Sequence, residues 1–106
     1  MPFAGPIFEN MPRRALVLIR RLIIEGSYAL TEHAGEEAAK DELDPIDVES
    51  AVLTGEIAAT QKGDSRGPKY LIRGLATDLT REVGVVLTLR RRKVCVIITV
   101  YEIAKA

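Results

Sequence analysis

At Glu56 the spacing of apolar residues changes from a helical period to strict alternation, and this change does most to fix what the chain can fold into. Before it, Leu16, Ile19 and Ile23 fall at i, i+3 and i+7, with Leu18 and Leu22 widening the stripe, and Gly26 supplies a stop. Met1 to Phe8, with two prolines and a glycine, reads as an extended tail, and Asn10 as the cap of this first helix, with Pro12 in its first turn. Tyr28-Ala29-Leu30 is a short extended segment. Thr31 then caps a helix expected from about Glu32 to Glu42, with a thin alanine face. Asp44-Pro45-Ile46-Asp47 is a third helix start, with Asp as cap, Pro at the first position and a carboxylate at the third, and Gly55 ends that helix. After it, Glu56–Gln61, Lys69–Gly74, Val83–Leu89 and Val94–Tyr101 read as strands. The last two are apolar on both faces, which places them centrally under helices. Arg90 to Lys93 joins them as a hairpin tip, without the glycine or asparagine that a primed two-residue turn favours. The fold class expected is α+β, with N-terminal helices packed on a C-terminal twisted antiparallel sheet of about four strands, and residues 1–106 forming one domain.

Composition narrows the function classes. Hydrophobic residues make up 47% and charged residues 28%, enough for a core and for a solvated surface. Cys95 is the only cysteine, so neither an internal disulfide nor a multi-thiolate zinc site can form within the chain. It lies in the apolar run Val94 to Ile98 and reads as a buried, inert thiol, in keeping with a cytoplasmic protein. Arg20 and Arg21 interrupt the apolar stretch of the first helix, leaving no membrane span, and no small-residue cleavage site follows. Phosphate-binding glycine loops, zinc-protease spacing and paired Cys/His ligands are all absent, so no cofactor or metal is expected.

Net charge is zero but unevenly distributed. Residues 32–56 hold nine acids and one base, whereas residues 57–106 hold ten bases and four acids. Such polarity marks partner surfaces, or simply an acidic helical layer laid on a basic sheet. His33, the only histidine, sits in the first turn of the second helix, where it is either a general acid or base or a structural side chain. Alternation puts Lys69 and Arg73 on one strand face, with Arg66 in the preceding loop. This trio suits phosphates, and equally an ordinary solvated face. The tetrad Arg90-Arg91-Arg92-Lys93 suits phosphate contact, or a surface tip that resists edge pairing.

The order Tyr28-x-Leu30-Thr31-x-His33-Ala34, Asp44-x-Ile46-x-Val48, Gly55-Glu56-Ile57, Asp64 to Gly74 and Ile98-Thr99-Val100-Tyr101 resembles a small bacterial family of domains of unknown function. That family's fold is placed near RelE- and BrnT-like toxins. The resemblance covers residues 28–101 and leaves residues 1–27, a tail and an added helix, outside it. It implies a metal-independent endoribonuclease that cleaves RNA by attack of a ribose 2′-OH, neutralised by a cognate antitoxin. Carried over by position, His33 would act as general acid or base, Arg66 and Arg73 would hold phosphate, and Lys69 would stabilise developing charge. Arg90, Arg91, Arg92, Lys93, Tyr70 and Tyr101 would contact RNA, although Tyr70 shares a face with Ile72 and is equally a core residue. The chain departs from the family pattern at Gly35-Glu36-Glu37, where an Arg usually follows the His-Ala pair. The other reading is a non-catalytic protein-interaction module on the same fold, a homodimer through the broad apolar arc of its first helix.

Overall fold

Eight elements follow one another in the computed structural model, which describes residues 4–62 and 67–103, with side chains from Arg13 onward. They are α1 (Ala4–Glu25), β1 (Tyr28–Leu30), α2 (Glu32–Lys40), α3 (Pro45–Thr54), β2 (Glu56–Gln61), β3 (Lys69–Leu75), β4 (Glu82–Arg90) and β5 (Val94–Glu102). The sheet order is β1-β5-β4-β3-β2. The chain is therefore α+β as expected, but the sheet has five strands rather than four. The extra strand is Tyr28–Leu30, which pairs in parallel with β5, Tyr28 opposite Cys95 and Leu30 opposite Ile97. Every other pairing is antiparallel. Three residues give no alternation to read, and their partner strand lies at the other end of the chain. No helix among the described residues is long and apolar enough to cross a membrane.

α1 begins at Ala4, two turns before the expected Asn10 cap, so Pro12 lies inside the helix rather than in its first turn. Its wide apolar arc serves the core of this chain: Leu16, Leu18, Ile19, Leu22 and Ile23 are all buried, while Val17 and Ile24 stay exposed. The other two helix starts match their sequence signals. Thr31 Oγ1 accepts the Ala34 N–H at 3.1 Å, and the Asp44 N–H donates to Asp47 Oδ2 at 3.0 Å.

One sheet face carries the helices. Ile72 of β3, Val83, Val85 and Leu87 of β4, and Cys95, Ile97 and Val100 of β5 are fully buried on it with Val48, Ala51 and Val52 of α3. α3 presses directly onto β3 at Gly74, where an added Cβ would lie 1.9 Å from the Ala51 carbonyl oxygen, so no larger residue fits. Burial raises the Cys95 thiol to about 11, which leaves it protonated and inert.

The acidic helical layer has a structural task at the sheet edge. Because β1 is only three residues long, the outer backbone of β5 beyond Ile97 lacks a strand partner. Glu37 Oε1 accepts the Val100 N–H at 3.1 Å and Asp41 Oδ2 accepts the Glu102 N–H at 2.8 Å. Two carboxylates of the acidic segment thus close an edge that would otherwise invite pairing.

Candidate nucleic-acid interface

Strand register sorts the basic residues onto faces. Lys69 pairs with Thr88, Leu71 with Val86 and Arg73 with Gly84, so these side chains share the face that no described helix covers. Val96, Thr99 and Tyr101 of β5 continue that face beside Thr88, Val86 and Gly84. Its middle, formed by Leu71, Val86 and Thr99, is half-buried. Tyr70 pairs with Leu87 and packs against the core on the opposite, helical face, separate from Lys69 and Arg73.

At one end of the open face a cleft of about 460 Å³ is lined by Lys69, Arg90 and Arg91, together with Thr31, Thr88, Val96 and Ile98. No carboxylate of the described residues lines it. Thr31 is two residues before His33, so the first turn of α2 stands at the margin of this cleft. His33 itself is exposed, and its Nε2 lies 3.2 Å from Glu37 Oε2, one helical turn on. β1 and β3 are three strand spacings apart, roughly 14 Å across the sheet, so the start of α2 and Lys69 stand on opposite sides of the cleft.

The other candidates fall elsewhere. Arg73 is four residues along β3 from Lys69, and its Nη2 is 3.1 Å from Glu82 Oε1. Tyr101 joins it at that far end. Its ring covers Gly84, where an added Cβ would sit 2.5 Å from Cζ, so only glycine leaves room for the ring. Arg66 lies outside the described residues. Lys93 closes the hairpin turn, its N–H donating to the Arg90 carbonyl at 2.9 Å, with an exposed side chain.

The turn itself departs from its composition. Arg91 and Arg92, its two central residues, take φ of 53° and 57°, which makes a type I′ turn without Asn or Gly. The right-handed twist of β4 and β5 selects that turn even though it places two arginines in the left-handed region. The side chains part there: Arg91 lines the sheet-face cleft, whereas Arg92 lines a groove on the α1 side with Arg13, Arg14, Val17, Leu18 and Arg21. Sequence reasoning assigned no role to Arg13, Arg14 or Arg21. Their signal is an exposed basic stripe at helical spacing, but nothing local to α1 points to the hairpin tip.

Two hydrogen-bonded centres support this geometry without lining it. Asp47 is buried and accepts from the Thr77 hydroxyl at 2.6 Å, from the Thr77 N–H at 3.0 Å and from the Asp44 N–H, with Arg81 Nη2 3.8 Å away. The hydroxyl and the two backbone donors, helped by that guanidinium, hold its carboxyl below the usual range. The Tyr28 hydroxyl donates to Glu49 of α3, and this bond, burial and the carboxylate charge together push the phenol up to about 12.

Among the described residues no group of three or more His, Cys, Asp or Glu side chains is arranged to hold a metal ion. No curated protein and no solved structure matches the chain. A family of domains of unknown function does match, over residues 30–102, the stretch from the end of β1 through β5 that carries the sheet-face cleft. By that match, which spans well over half of its length, the chain belongs to the DUF4258 family.

Proposed function

We propose that this domain holds an RNA backbone in the sheet-face cleft and cleaves it, without a metal, in the manner of a toxin-like endoribonuclease. The observation that carries the reading is the convergence of Lys69, Arg90 and Arg91 on one cleft that no carboxylate of the described residues lines. Arginine offers planar forks to phosphate and lysine a point charge. In the proposed step a base removes the proton of a ribose 2′-OH. The freed oxygen attacks the adjacent phosphorus, the P–O5′ bond breaks, and a cyclic phosphate and a protonated 5′-OH remain. His33 at the cleft margin is the candidate for the proton transfers, with Glu37 orienting its ring. Lys69 stabilises the charge that develops on the phosphate. Arg73 and Tyr101 would contact the strand farther along the open face.

A second reading, a non-catalytic interaction module, draws on a different observation. Leu71, Val86 and Thr99 form a half-exposed apolar strip on a sheet face that no described helix covers, which suits a protein partner such as a cognate antitoxin or a second copy.

Incubation of the purified chain with RNA in the presence of a metal chelator separates the two. The first reading expects cleavage leaving cyclic phosphate ends, growth arrest on induced expression, and loss of both in His33→Ala and Lys69→Ala. Intact RNA and normal growth would overturn it in favour of the second.

A further inference from the structure

We propose that the groove between α1 and the hairpin tip is a second RNA-backbone site, so that one single strand runs from the sheet-face cleft round the tip onto α1. The proposal rests on the RNA reading above and adds to it a site supplied partly by residues outside the family match.

Three observations support it. The groove, about 590 Å³, is lined by Arg13, Arg14, Arg21 and Arg92 around Val17 and Leu18, and no carboxylate lines it among the described residues. Among the described residues Arg21 pairs with Glu25 at 4.0 Å, both side chains more than half exposed. Such a pair is worth little and yields readily to a phosphate. Second, adjacent turn residues serve the two depressions, Arg91 one and Arg92 the other, so the tip carries a cation to each. Third, Val17 stands 66% exposed among the arginines and gives a base or ribose an apolar floor. Arg91 and Arg92 carry the positive charge from one depression to the other, so a flexible single strand that follows the tip meets both sets of cations in turn.

The test uses fluorescence anisotropy with the full chain and two unstructured single-stranded RNAs, one of about twelve nucleotides and one of about four, lengths that bracket the site size of one small binding domain. Uncleavable 2′-O-methyl RNA keeps binding separate from catalysis. Replacing Arg13, Arg14 and Arg21 together by Gln is expected to weaken the longer RNA on the order of tenfold and to lower its salt slope by about two, as loss of three phosphate contacts requires. Affinity for the shorter RNA, which the sheet-face cleft accommodates alone, should stay unchanged. Lys69→Gln with Arg91→Gln should weaken both. All three α1 positions are exposed, so the unfolding midpoint of the triple variant should match the parent. Equal binding of the longer RNA by parent and triple variant overturns this inference while leaving the sheet-face reading intact. So does a triple variant whose only loss is binding to phosphatidylserine vesicles or to an acidic peptide. Absence of RNA binding by the parent overturns both.

Discussion

Asp47 joins segments that the chain order keeps apart: the first turn of α3, the Thr77 loop after β3, and Arg81 at the entry to β4. Replacing it by Ala leaves two backbone N–H groups and a hydroxyl without their acceptor and takes a charge partner from Arg81. A loss of about 3 kcal/mol in urea unfolding is expected. A loss well under 1 kcal/mol would mean that water replaces the carboxylate. Because the folded carboxyl lies below its usual value, this stabilisation is complete above the unfolded carboxylate range and fades as pH falls toward the lower folded value. Tyr28 has the opposite sign. Its phenol rises from 10.0 unfolded to about 12 folded, so the stabilisation is complete below pH 10 and is lost as pH climbs to about 12. Ultraviolet titration of the parent should contain a phenol ionising near that upper value that Tyr28→Phe loses. Stability between those two pH values should also fall more steeply in the parent. Identical titration curves would refute the Tyr28–Glu49 bond.

The hairpin between β4 and β5 shows where local sequence signals stop. Asp44-Pro45-Ile46-Asp47 announced its helix because cap, ring and third-position carboxylate each meet a need of the helix end, all within four residues. Arg90-Arg91-Arg92-Lys93 announced a tip but not its turn type, because the twist of the paired strands imposes the primed geometry against residue preference. Tyr28-Ala29-Leu30 reads as extended without showing its place in a sheet for a similar reason: its sheet neighbour among the described residues, β5, lies at the other end of the sequence. The left-handed region costs an ordinary residue roughly 1–2 kcal/mol, so Arg91→Asn with Arg92→Gly should stabilise the fold by about 1–2 kcal/mol. On the proposed RNA reading the same double substitution should weaken RNA binding, because it removes one cation from each depression. Strain retained where a common alternative would relieve it fits a tip whose side chains serve binding. A variant that gains stability and binds RNA as the parent does would break that link. The placement of the candidate residues was legible to the same depth as the fold. Lys69 and Arg73 on one face followed from alternation, and the half-buried Tyr70 from its shared face with Ile72. Arg90 and Arg91 meeting Lys69, and Arg92 meeting Arg13, Arg14 and Arg21, follow only from pairing distant segments.

At the scale of the molecule, the boundary that the family match draws before Leu30 is not a boundary in the packing. α1 precedes the matched residues, yet it buries Leu16, Leu18, Ile19, Leu22 and Ile23 in the one core cluster. Ile19 is completely buried, and its carbonyl oxygen lies 3.9 Å from the Cys95 sulfur of β5. Arg20 Nη2 donates to the Gly55 carbonyl at 2.6 Å, tying α1 to the turn between α3 and β2. At about 1.5–3 kcal/mol for each buried side chain, the five apolar residues contribute on the order of 10 kcal/mol. The net stability of a domain this size is itself only about 5–15 kcal/mol. Residues 28–106 alone should therefore fail to unfold cooperatively, showing a broad thermal transition and binding of a hydrophobic dye at neutral pH. Adding residues 1–27 as a separate peptide should restore a sharp transition, because the exposed core offers α1 the same contacts in trans. Cooperative unfolding of the isolated fragment would instead make α1 an accessory, and the arginine groove a feature laid on a self-sufficient domain. The reach of the basic surface depends on which holds. If α1 is integral, its backbone is held by the same core as the sheet, and the proposed RNA path has two depressions at a fixed separation.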